Sequence, residues 1–126
     1  MPSAELIKES ETHFDYHRNV DTKTATRALG ALAQPRRLQL FRRLVAAGPA
    51  GSTPQELLRA AKVANATLSF HLKQLVEAKL ITQERQGRHR IYRASFGEIG
   101  ALLAYLAEDC CGGQPCEVDI KTKARR

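Results

Sequence analysis

Three cysteines, Cys110, Cys111 and Cys116, stand in the last 17 residues of a 126-residue chain that has no other cysteine. Thiolates are the preferred ligands of soft, thiophilic ions. Gly112, Gly113 and Pro115 let the backbone double back, so that two adjacent thiols can converge with the third. Two arrangements satisfy this spacing: all three sulfurs on one ion, or Cys110 and Cys111 as the ligands with Cys116 a spectator. Oxidation of the same thiols to a disulfide or polysulfide link makes a redox sensor the rival chemistry. A catalytic thiol is not expected, because no strand-C-x-x-C-helix unit is present. An oxyanion loop would also require an arginine six residues beyond its cysteine, where this chain has Cys116 and Thr122.

The element that must present these thiols is a helix opened by Ser95 and Glu98, which have the spacing of a capping box. Ile99, Leu102, Leu103 and Leu106 share one of its faces. Far upstream, Asp21 is the expected N-cap of a first helix whose apolar residues are Ala25, Ala28, Leu29 and Leu32, ending near Gln34 because Pro35 follows. Pro35 then serves as the first residue of a second helix, with Leu38, Leu40, Phe41, Leu44 and Val45 as its stripe and Gly48 as its stop. Thr53 and Glu56 form another capping box, with Pro54 at the first helical position and Leu57, Leu58 and Ala61 facing inward. After a break at Lys62 and Val63, Asn65 is expected to cap a fourth helix reaching Ala78, with Leu68, Leu72, Leu75 and Val76 as its apolar stripe. Two short helices joined by so tight a turn make a helix-turn-helix. Residues 80–84 and 90–94 read as strands of a hairpin around Gln86, Gly87 and Arg88.

In a helix-turn-helix the second helix enters the major groove of DNA and its N-terminal half meets base edges. Here that half supplies Asn65, Thr67, Ser69, Phe70 and His71, followed by Lys73 and Gln74, a set rich in groups that bond bases and phosphates. For His71 a packing role is the equal alternative. The hairpin gathers Arg85, Arg88, His89, Arg90 and Arg93. From Ala61 to Arg93 seven Lys or Arg face two Asp or Glu, so most of the chain's formal charge of +7 lies in this stretch. A basic hairpin beside such a helix is the electrostatic footprint of duplex DNA binding.

The length fits one domain, small enough for a partner subunit to contribute to stability. With no Trp and 6% aromatics the core must be chiefly Leu and Ala, which favours helices. The start MPSAELIKESE lacks the basic and apolar regions of a signal peptide, and no run of 18 apolar residues exists, so a cytoplasmic protein without a membrane partner is expected. The organisation is then an N-terminal arm at 1–20, a DNA-binding and dimerisation domain at 21–109, and a cysteine-containing tail at 110–126 that ends in the basic KTKARR.

The stretches ALAQPRRLQLFRRL, SFHLKQLVEAKLI and RQGRHRIYR resemble the ArsR/SmtB family of repressors over roughly residues 25–109. The resemblance implies a mainly α (α+β) winged helix-turn-helix with a β-hairpin wing, and a homodimer joined through its first and last helices. Leu29, Leu32, Ile99, Leu102, Leu103 and Leu106 would line that dimer interface, and Ser69 would touch DNA. It further implies binding to double-stranded operator DNA that a metal or metalloid relieves, and no enzymatic activity. Two metal sites of the family have no counterpart here. The C-x-C box of its prototype arsenic repressors falls on PQELLRAAKV, and the Asp and His ligands of its zinc sensors fall on residues 96–108, which contain neither type. What remains resembles the arsenite repressors whose ligands follow the dimerisation helix, making Cys110, Cys111 and Cys116 the expected metalloid site. Trivalent arsenic or antimony bears a lone pair and takes three sulfurs in a pyramid, whereas structural zinc usually asks for four ligands. A site of only two thiols would favour a methylated As(III) species.

Overall fold

Asp21 accepts a hydrogen bond from the Thr24 amide at 2.8 Å and opens α1 (Thr22–Leu32), and this bonding holds its carboxyl below the ordinary carboxylate range. A computed structural model describes residues 20–61 and 63–113. The expectations for the arm before residue 20, for Cys116 and for the basic tail therefore lie outside the described residues. Gln34, not foreseen as a cap, accepts from the Arg37 amide at 2.9 Å and starts α2 (Pro35–Ala47) with Pro35 as its first residue. Gly48 ends α2 with φ +69°, and a short 3-10 turn (Gly48–Ala50) follows. The Thr53 and Glu56 capping box is formed in both directions, 2.9 and 3.2 Å, at the start of α3 (Pro54–Ala61).

Two predicted caps are corrected. Asn65 is the first residue of α4 (Asn65–Glu77) rather than its cap, and Ala64 precedes it with no side-chain bond to the first turn. Ser95 does precede α5 (Phe96–Ala107), but its side chain caps nothing. The Ser95 amide, which a reciprocating Glu98 would have to accept, is donated instead to the Leu80 carbonyl at 2.9 Å.

The hairpin pairs β1 (Ile81–Gln86) with β2 (His89–Ala94) antiparallel, from Ile81 opposite Ala94 to Gln86 opposite His89. Both strands reach closer to the tip than predicted, leaving Gly87 and Arg88 as a two-residue loop with φ +63° at Gly87. The hairpin is tied to the helices through Ser52, which exchanges two backbone hydrogen bonds with Tyr92 at 2.8 and 2.9 Å. Gly51 makes this approach possible: its φ is +72°, and a Cβ there would lie 2.5 Å from the Tyr92 carbonyl oxygen.

The helices close on a leucine core. Leu40 and Leu44 of α2, Leu57 of α3, Leu68 and Leu75 of α4, Leu80 and Ile81 are all but completely removed from water. Ala25 and Ala28 let α1 lie close against this cluster. Leu38 and Val45, expected inside, remain partly in solvent at the edge of the α2 stripe. The result is a mainly helical winged helix-turn-helix with a two-stranded wing. Among the described residues no helix is long and apolar enough to cross a membrane.

Candidate nucleic-acid interface and thiol site

Burial of Leu68, Leu72 and Leu75 turns the opposite side of α4 outward. Asn65, Thr67, Ser69, Phe70 and Lys73 are exposed there, with Gln74 half-buried beside them. No side chain caps the first turn of α4, so its first amides remain without a side-chain acceptor.

Of the two readings open for His71, DNA contact or packing, the structure has the packing one. It is 5% exposed, and its Nδ1 lies 3.3 Å from Nη1 of Arg37. The residue falls on the inner flank of α4, between Leu68 and Leu72, where the helix meets α2. Burial pushes its pKa below the ordinary value, and the positive charges of Arg37 and Arg36 add to the shift. Arg37 also donates from Nε to the Ala31 carbonyl at 2.7 Å, so one guanidinium joins the end of α1 to α4. The spacing of apolar residues gave no signal for this bridge.

Strand register decides which face of the wing is basic. Arg85 stands directly opposite Arg90, on the face that nearer the base carries Ile81, Tyr92 and Ala94 inward. Like charges placed opposite one another cost stability, so the pair is poised for an anion. Arg85, Arg88, His89 and Arg90 line one groove with Gln55 of α3 and Asn65 of α4. The fold thus brings the wing arginines and the start of α4 to a single surface. Arg93 is not part of it, because its guanidinium pairs with Glu84 and donates to the Pro49 carbonyl at 2.7 Å.

At the other end of the molecule, α5 lies against α1, with the Tyr105 hydroxyl 2.7 Å from the Thr22 hydroxyl. Of the six predicted interface residues, Leu29, Leu103 and Leu106 are exposed, while Leu32 and Ile99 are partly buried against the core. Leu102 belongs to the core of its own protomer, which corrects its assignment to the interface: α5 rolls this residue inward with Ala101.

Five residues beyond Tyr105 the chain enters a 3-10 turn (Cys110–Gly113) in which Cys111 and Gly112 both adopt positive φ, 58° and 62°. The Cys110 and Cys111 sulfurs stand 3.4 Å apart. Cys110 is disulfide-bonded, whereas Cys111 is an exposed free thiol. Among the described residues no group of three His, Cys, Asp or Glu side chains is assembled for a metal ion. Cys110 and Cys111 are the soft donors among the described residues, and Cys110 becomes a thiol donor only when its disulfide is reduced. Two bonds of about 2.3 Å to one ion would span this separation at an angle of roughly 95°, narrower than tetrahedral.

A family model described as a helix-turn-helix domain matches residues 32–84. The chain is 43% identical over 58 residues to an uncharacterized HTH-type transcriptional regulator, YdfF, of Bacillus subtilis, covering 46% of this chain but only 24% of that protein. It is 35% identical over 81 residues to the arsenical resistance operon repressor of the same organism, covering 64% of this chain and 73% of the repressor. Among solved structures, the ArsR family transcriptional regulator RHA00566 superposes with a TM-score of 0.61 at 26% identity, over 71% of this chain and 90% of that one. The homodimeric winged helix-turn-helix DNA-binding domain of Mb0332 from Mycobacterium bovis superposes with a TM-score of 0.55 at 24% identity, over 69% and 81%.

Proposed function

The chain belongs to the ArsR family of transcriptional regulators, and from that premise we propose that it is a metalloid-responsive repressor that binds operator DNA as a homodimer. Trivalent arsenic or antimony binding at Cys110, Cys111 and Cys116 releases the DNA. The observation that carries this reading is the 3.4 Å separation of the Cys110 and Cys111 sulfurs at the end of α5. Such a pair suits a three-coordinate pyramidal ion better than a tetrahedral one. Once a thiol reductant has supplied two electrons and two protons to open the Cys110 disulfide, capture needs no further electron transfer: each thiol proton leaves with one hydroxide of arsenous acid as water while an arsenic–sulfur bond forms. Three thiols therefore release three waters, and a singly methylated As(III) species, with two hydroxides to lose, engages two.

DNA is held by the outward face of α4 and by Arg85, Arg88, His89 and Arg90 of the wing. Leu29, Leu103 and Leu106 supply the apolar surface that a second copy covers, and the Mb0332 domain of the same fold is itself described as homodimeric. The half-sites of a dimeric reader lie about 34–36 Å apart, so a small rotation between protomers misplaces one helix. Metalloid binding acts on the turn directly after α5, whose Tyr105 is hydrogen-bonded to α1, and α1 is tied through Arg37 to α4. A coupling of about 1–3 kcal/mol along such a connection lowers affinity roughly 5- to 150-fold.

The disulfide at Cys110 favours a second reading, a thiol-based redox sensor. There two thiols give two electrons and two protons to a peroxide, yielding a disulfide and water, and DNA is released without a metalloid. Titrating reduced protein on labelled operator DNA with arsenite, antimonite, zinc and cadmium under anaerobic conditions separates the two. Release at near-stoichiometric arsenite or antimonite supports the repressor proposed first. Indifference to every ion, with release by peroxide that a reductant reverses, supports the redox sensor.

A further inference from the structure

Phe70 is 54% exposed in the middle of the outward face of α4, where every other exposed neighbour is small or polar. Ala66 lies one turn before it and Thr67 three residues before it, both exposed, so a methyl, a hydroxyl-bearing methyl and an aromatic ring share one strip of the helix. The Phe70 ring makes one ring contact among the described residues, a tilted one with His71 at a centroid distance of 5.8 Å. Lys73 follows one turn later on the same strip, and the arginines of the wing border the start of the helix. An apolar spot enclosed by cationic groups fits a partner that is anionic at its edges and apolar at one recessed point.

In the major groove of duplex DNA that point is the C5-methyl group of thymine, the only apolar group a base pair presents there, and Ala, Thr methyl and Phe side chains are its usual contacts. We infer that Phe70, flanked by Ala66 and Thr67, is a specificity-determining residue that selects thymine in each operator half-site through its methyl group. This rests on the DNA-binding reading of α4 and adds to it a base identity and a mechanism of selection. Phosphate contacts from the wing hold the helix in place but carry no sequence information. Discrimination at the thymine then comes from apolar surface removed from water, and losing one buried methyl weakens binding about fourfold, the equivalent of about 0.8 kcal/mol.

The test uses the full-length reduced protein and the duplex it enriches from a random-sequence pool. Each thymine is replaced singly by deoxyuridine, which removes the methyl and keeps every hydrogen-bonding group. At one or two positions per half-site the parent protein should bind about fourfold more weakly. The same replacements should cost Phe70→Ala nothing, with Phe70→Leu in between, and both variants should match the parent in far-UV circular dichroism. If no deoxyuridine position affects the parent, or if the penalties persist unchanged in Phe70→Ala, the inference is overturned. The first of these arms needs no variant at all. Failure to enrich any sequence would instead overturn the DNA-binding reading, and the assignment of Phe70 with it.

Discussion

Arg37 bridges two elements that have no covalent reason to move together, donating from Nε to the carbonyl of Ala31 at the end of α1 and placing Nη1 3.3 Å from Nδ1 of His71 on α4. A cation beside a buried imidazole keeps that imidazole neutral. His71 has its pKa depressed below 6.5 by burial, then by Arg37 and Arg36. The unfolded chain therefore takes up a proton that the folded protein refuses. Stability from this residue is fully present above pH 6.5 and is lost as pH falls through the window beneath it. Melting temperatures measured from pH 8 down to pH 5 should fall for the parent more steeply than for His71→Gln, which keeps a hydrogen-bonding side chain and cannot titrate. Equal slopes would remove His71 from this role.

Arg85 and Arg90 oppose one another in the register of the wing, a repulsion that a polyanion relieves. Arg85→Ala should leave the free protein as stable as the parent or up to about 1 kcal/mol more stable. DNA binding should nevertheless weaken for all sequences alike, and the slope of log affinity against log salt should flatten by about 1. Urea melts together with anisotropy at several salt concentrations provide both readings. A loss confined to one operator sequence would mean that Arg85 reads a base.

Gly51 holds the wing against the helices. With φ +72° and 2.5 Å from an added Cβ to the Tyr92 carbonyl oxygen, Gly51→Ala is strained in its backbone and also clashes with a hydrogen-bonded strand. A loss of about 1–3 kcal/mol in urea unfolding is expected. An unchanged midpoint would show that the Ser52 to Tyr92 bridge can open at little cost.

Leu106, at 55% exposure, and Leu103 lie on α5, the helix that precedes the thiol turn. Burying a charge at a dimer interface is strongly unfavourable unless it is paired. Leu106→Glu should therefore sediment as a monomer at concentrations where the parent is a dimer, with operator affinity falling as well. A dimer that persists would place the interface elsewhere.

Cys111 is exposed and takes no part in the core. Cys111→Ser should bind operator DNA with parental affinity and no longer release it on addition of arsenite, acting as a permanent repressor. Cys110→Ser should do the same. If either variant fails to bind DNA, the turn after α5 has a structural role instead of a sensing one.

The helical skeleton was legible wherever a local rule governs it. Asp21, Pro35, Gly48 and the Thr53 and Glu56 pair all act within one turn of themselves, and each marks the boundary its residue type demands. The period of the leucines likewise separates the inner from the outer side of α4. The Glu98 half of the Ser95 capping box failed because the Ser95 amide is donated to the Leu80 carbonyl, fifteen residues away in sequence, and no local pattern records such a competitor.

The sequence by itself determined the order of elements, the leucine core, the excess of cations in the wing and the confinement of every thiol to the segment after α5, because composition and short-range periodicity are properties of the chain. Only the tertiary structure decided that His71 turns inward to Arg37, that Leu102 is withdrawn into its own protomer, and that Arg93 braces the wing while Arg85 and Arg90 crowd together facing the start of α4. Each of these depends on which partner reaches a side chain first once distant segments pack, and that is settled by strand register and helix rotation rather than by residue type.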